Sequence, residues 1–204
     1  MFRRHFQRLG TAMLILLSAP MAFAGSIFTF TFDTTPLLGH PAGPFSLNFQ
    51  FNDGSFPNDA NNSANLTLFD LGGGSLVGLG LLTGGVAGDL SSSVLFQDSS
   101  FLNMYTQGFN VGSALSFGID MTTFLDSGDT PDQFSFAILD NTGTEIPTTA
   151  LGILGSDVLV SIDIVPSLAS SAGVRGLSSA IGVARVQVFA TDATRTPIGG
   201  GDHA

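Results

Sequence analysis

The side chains best equipped for chemistry in this 204-residue chain are its acids: 16 Asp and Glu, with Glu145 the only glutamate, against six Arg and no Lys. They gather with amides in two oxygen-rich stretches. Asn52-Asp53-Gly54 runs on to Asn58-Asp59-Ala60-Asn61-Asn62-Ser63, and Asp126-Ser127-Gly128-Asp129-Thr130-Pro131-Asp132 forms the second. Calcium takes about six to eight oxygen ligands from loops of this kind, so Asp126, Asp129, Asp132, Asp53, Asp59 and Asn61 are the candidate calcium ligands. Neither stretch has the spacing of a helix-loop-helix calcium hand, and neither places a Glu at its twelfth position. Asp, Asn and Gly also form turns by bonding their own backbone, and solvated turns between strands account for the same residues without a metal.

The inventory excludes a good deal. Without Lys there is no phosphate loop ending in GK[ST] and no Schiff base; without Cys there is no thiolate nucleophile, disulfide or Cys-ligated metal. The formal net charge of −10 opposes nucleic acid and anionic lipid alike. A Ser-His-Asp triad would need His40, which sits in the turn-like Gly39-His40-Pro41. A hydrolase working through paired carboxylates, with Asp120 or Glu145 among them, meets the objection that acids in turns stay solvated and ionised. No residue therefore carries a catalytic assignment. The stretch Leu71 to Leu90 holds eight Gly but lacks a strand-to-helix context and a Lys, which sets nucleotide binding aside in favour of a long flexible loop or a pair of Gly-bent strands.

The elements that must position these residues follow from a period of two. Phe28, Phe30 and Phe32 alternate with Thr29 and Thr31, and Phe45, Leu47, Phe49 and Phe51 alternate with Ser46, Asn48 and Gln50. The pattern returns over Ala114 to Met121, Gln133 to Leu139 and Asp157 to Ile164, and more weakly over Leu66 to Leu71, Val94 to Asp98 and Ala184 to Ala190. It predicts an all-β chain: an antiparallel β-sandwich, jelly-roll-like, of about eight strands, with the Phe-rich faces turned inward as core. The polar outer residues are Ser, Thr, Asn and Gln rather than charged ones, which leaves strand edges open to self-association.

Three segments are expected. Residues 1–24 have the form of a cleavable export signal: Arg3, Arg4 and Arg8, an apolar run from Ala12 to Leu17 too short to span a bilayer, and Ala22-Phe23-Ala24 before Gly25. Arg3-Arg4-His5-Phe6 also matches a twin-arginine pattern, so the route is left open between the two pathways. The sandwich is expected over 25–190 and a flexible Gly/Thr-rich tail over 191–204, with no membrane span after cleavage.

Four runs carry a family resemblance: FTFTFDTTPLLGHPAGPFSLNFQFNDGS from Phe28, GGVAGDLSSSV from Gly84, TPDQFSFAILDNTGTEIPTT from Thr130 and VQVFATDATRTP from Val186. Together they resemble bacterial secreted proteins of the PEP-CTERM sorting class. The resemblance implies export and delivery to the cell surface or extracellular polymer matrix of a Gram-negative bacterium, and it brings no active site with it. The chain departs from that class at its end, where Thr196-Pro197-Ile198-Gly199 stands in place of the Val-Pro-Glu-Pro motif, apolar helix and basic cluster. Segment Ser167 to Ile181 fits neither the strand pattern nor the family.

The expectation is a non-catalytic secreted or cell-surface sandwich whose partners are an extracellular polysaccharide or a matrix protein. The alternative is a calcium-dependent carbohydrate-binding module, against which stand zero Trp and a single Tyr105, because stacking on sugar faces uses those rings.

Overall fold

The computed structural model describes residues 26–55, 58–125, 130–148, 157–164, 173–174 and 186–192. Residues 1–25, Asp126, Asp129, most of 167–181 and the tail beyond Asp192 lie outside the described residues. Among the described residues, twelve strands form two antiparallel six-stranded sheets. In chain order they are β1 (Ser26–Asp33), β2 (Phe45–Asn52), β3 (Ser63–Asp70), β4 (Ser75–Thr83), β5 (Gly85–Asp89), β6 (Ser93–Gln97), β7 (Leu102–Asn110), β8 (Ala114–Met121), β9 (Gln133–Leu139), β10 (Val160–Asp163), β11 (Gly173–Val174) and β12 (Val186–Asp192). One sheet runs β12-β1-β8-β3-β6-β5 and the other β11-β10-β9-β2-β7-β4. The β-sandwich expected from the alternation is present.

The jelly-roll wrapping is visible in the pairing. β1 pairs with β8, β2 with β7 and β3 with β6, each antiparallel and nested inside the previous pair. β4 and β5 are the innermost turn of this wrap, separated by Gly84 at φ +71°, and they part company there: β4 joins β7 in one sheet and β5 joins β6 in the other. β9, β10 and β11 then extend the second sheet beside β2, and β12 flanks β1.

The core is aromatic because strand parity puts every other residue on the inner face, and many of those residues are Phe. Phe28, Phe30, Phe32 and Phe117 come from the first sheet, Phe49, Phe51, Phe134 and Phe136 from the second, and all are buried. Phe49 stacks on Phe136 with ring centroids 4.6 Å apart, and Phe117 meets both edge-on at 5.3 and 5.1 Å. Each such ring contributes about 1.5–3 kcal/mol by burial, with roughly 0.5–1.5 kcal/mol more per well-placed aromatic pair.

The count of about eight strands was low. All eight expected strands are there, and β4, β5, β7 and β11 are additional. β7 breaks the apolar alternation because Asn103 and Gln107 share the inner face with Tyr105 and Phe109. Asn103 donates to the carbonyls of Phe51 and Ser100 and accepts from Gly85 N, while the Tyr105 hydroxyl donates to Gln107 Oε1 at 2.5 Å and Gln107 Nε2 donates to Gly78 O. These polar residues hold β4 and the β4–β5 corner in place. Gly80 permits the crossing, since a Cβ there would lie 2.2 Å from the Tyr105 hydroxyl. The Gly-rich stretch is thus the pair of Gly-bent strands and not the flexible loop.

Candidate functional site

Four of the six residues singled out as calcium ligands come together at one corner of the sandwich. Asp53 follows β2, Asp59 and Asn61 stand in the loop leading to β3, and Asp132 immediately precedes β9. Two residues that the sequence did not single out as ligands complete the corner: Asp98, just past β6, and Asn62, just before β3. Asp126 and Asp129 are outside the described residues.

Asn62 is the hub. It is 2 % exposed, and its side-chain amide donates to Asp132 Oδ2 at 2.7 Å and to Phe124 O at 2.9 Å. Its carboxamide oxygen accepts from Phe124 N and from the Thr122 hydroxyl. Its backbone N–H donates to Asp98 Oδ2 at 2.7 Å, and its carbonyl accepts from Asp98 N. The side chain thereby ties the β2–β3 loop to the segment after β8 and the start of β9, and the backbone of the same residue adds the end of β6. Gly54 N donates to Asp132 Oδ1 at 2.8 Å, and only glycine allows that approach, because a Cβ at Gly54 would lie 2.2 Å from Thr130 O. Asp53 Oδ2 accepts from Asn58 N, and the Asp59 carboxylate accepts from both the backbone and the side chain of Asn61.

The electrostatics are unusual. Asp53, Asp98 and Asp132 are 1 %, 0 % and 2 % exposed, and no Lys or Arg occurs among the described residues. Burial pushes the Asp98 carboxyl up to about 7; the hydrogen bond from Asn62 N–H opposes this, and the negative charges of Asp132, Asp59 and Asp53 add to it. Asp98 Oδ1 is buried and has no hydrogen-bond partner. Among the described residues no three acid or imidazole side chains converge on one metal position.

A carboxyl held near neutrality beside other carboxyls is also an acid/base signature. Here the group is wholly enclosed, and a groove of about 450 Å3 among the described residues lies at the opposite end of β2, lined by Ser46, Val77, Thr106, Phe109, Asn110 and Asn141 among others. The acid at that groove, Asp140, is held below its ordinary value by the Thr142 hydroxyl and by backbone N–H groups of the turn that follows it. Glu145 accepts from Asp157 N and Asp157 from Thr148 N, so both acids are engaged by backbone donors. Asp120 points outward from β8. His40 Nδ1 accepts from Ala42 N in its own turn.

The outer surface of β4 is apolar at an edge. Val77, Leu79 and Leu81 are exposed, Leu79 by 91 %, and no charged residue interrupts Ser75–Thr83. No helix among the described residues is long and apolar enough to cross a membrane.

Fold and corner together define a jelly-roll β-sandwich with a buried acidic loop cluster. Comparison with protein-family models, with curated proteins and with solved structures finds no match to this chain.

Proposed function

We propose that the chain is an exported, non-catalytic β-sandwich that works by contact with a neutral polymer or matrix protein at the surface of a bacterium or in its extracellular matrix. The observation that carries this reading is the groove at the start of β2. It is lined by hydroxyl, carboxamide and apolar groups, with Asp140 engaged in its own turn and no base present, which suits the hydroxyl-rich surface of an uncharged polysaccharide. The signal-like residues 1–24 and the resemblance to exported PEP-CTERM proteins support the compartment.

The test is expression of the full chain in a Gram-negative host, followed by mass spectrometry of the exported fraction and co-sedimentation with crude extracellular polysaccharide. The expected result is a mature N-terminus at Gly25, retention on the polymer, and reduced retention of Ser46→Arg, which places a long cation in the groove. An uncleaved chain confined to the cytoplasm refutes the compartment. Equal retention of Ser46→Arg and the native chain refutes the groove.

A further inference from the structure

Among the described residues, the buried corner gathers several carboxylates with no Lys or Arg beside them. Asp53, Asp98 and Asp132 are each at most 2 % exposed, with Asp59 exposed nearby. The only base among the described residues is His40, in the turn that precedes β2, whereas Asp53 follows the far end of that eight-residue strand. Hydrogen-bond donors reach both oxygens of Asp132, and Asn62 N–H reaches Asp98 Oδ2. Asp98 Oδ1 is different: it is enclosed, no donor reaches it, and the acids that act on its carboxyl are Asp132, Asp59 and Asp53. An enclosed carboxylate oxygen without a donor is strongly unfavourable unless a cation or a proton meets it.

We propose that this corner binds a calcium ion, with Asp98 Oδ1 as a direct ligand, the carboxylates of Asp53, Asp59 and Asp132 providing the surrounding negative field, and amide or carbonyl oxygens and water completing the shell. The donor set selects the metal. The chain has no Cys, and the corner has no imidazole, which removes the ligands that zinc and copper prefer. The acids do not converge as a compact three-carboxylate group, so the ligand set must mix carboxylate with neutral oxygens. Calcium accepts such irregular shells of about six to eight oxygens, whereas magnesium demands a near-ideal octahedron. This inference is independent of the groove and of the polymer it contacts.

The experiment is equilibrium dialysis of the chelator-treated full chain against calcium, with thermal melts in 10 mM calcium, 10 mM magnesium and excess chelator. The expected result is one calcium per chain with a dissociation constant of about 10⁻⁴ to 10⁻³ M, and a melting temperature raised by about 3–10 °C over the chelated protein. Magnesium is expected to raise it by less than half as much. Asp98→Asn abolishes uptake, and Asp59→Asn, an exposed change that leaves the fold intact, weakens affinity several-fold. Absence of calcium uptake at 10 mM overturns the proposal, as does an equal shift with magnesium or native affinity in Asp98→Asn. Should Asp98→Asn fail to fold, Asp59→Asn decides: weakened binding supports the site and unchanged binding overturns it.

Discussion

Replacing Asn62 by alanine removes a side chain that three segments share, and its cost can be worked out bond by bond. The amide gives one hydrogen bond to the Asp132 carboxylate and one to Phe124 O, and the oxygen receives one from Phe124 N and one from Thr122. A bond to a buried charge contributes roughly 1.5–3 kcal/mol and each neutral bond about 1 kcal/mol. Thr122 also contacts Ser63 O and can redirect its hydroxyl, so its loss counts for little. The expected destabilisation is about 3–5 kcal/mol, a large share of the roughly 5–15 kcal/mol that holds a domain folded. Urea unfolding followed by far-UV circular dichroism measures it, since the chain has no Trp. With a slope of about 2 kcal/mol per molar urea the midpoint falls by roughly 2 M. Asn110→Ala is the comparison: it removes one exposed bond to Ser75 and is expected to stay within about 0.5 kcal/mol of the native chain. A loss below about 1 kcal/mol for Asn62→Ala, or a loss equal to that of Asn110→Ala, refutes the assignment of Asn62 as the hub.

Other substitutions probe other parts of the molecule. Phe117→Ala withdraws the ring that meets Phe30, Phe49 and Phe136, and calorimetry should show a loss of about 3–5 kcal/mol. Gly54→Ala sets a methyl against the Thr130 carbonyl and separates the two loops, at a cost of about 1–3 kcal/mol read from the same urea midpoint. Asp140 should titrate below 3.8 in carbon-detected NMR, and Thr142→Val should move it back toward that value. Because its folded value is lowered, the stability Asp140 contributes is present above 3.8 and disappears as pH falls through the folded value. Leu79→Lys places a charge on the β4 edge, leaves the melting temperature unchanged, and lowers concentration-dependent light scattering; unaltered scattering would mean that this edge plays no part in self-association.

The strands legible in the sequence are those whose two faces differ in chemistry. β1, β2, β8 and β9 announce themselves because Phe, Leu and Ile fall on alternate positions with polar residues between. β7 was hidden by its inward Asn103 and Gln107, which earn their burial through hydrogen bonds to distant carbonyls that no local pattern reveals. β4 was hidden for the opposite reason, since Val77, Leu79 and Leu81 face solvent and erase the contrast. The corner was half legible. Asp53, Asp59, Asn61 and Asp132 belong to stretches dense in oxygen, whereas Asp98 is a single acid after a short strand, before serines that suggest only a turn. Its importance comes from the β3–β6 pairing, which sets Asn62 beside it.

The nested pairing also dictates when this chain can acquire structure. β1 finds its register only when β8 is available, with Ser26 opposite Met121, and β2 must wait for β7. Such distant pairings make for slow folding, because a long loop must close before any contact rewards it. A chain emerging N-terminus first cannot close the outer β1–β8 pair until Met121 has followed, and the Phe-rich strands spend that interval exposed. A wrapped topology therefore works as a timer, delaying closure until most of the polypeptide has been made.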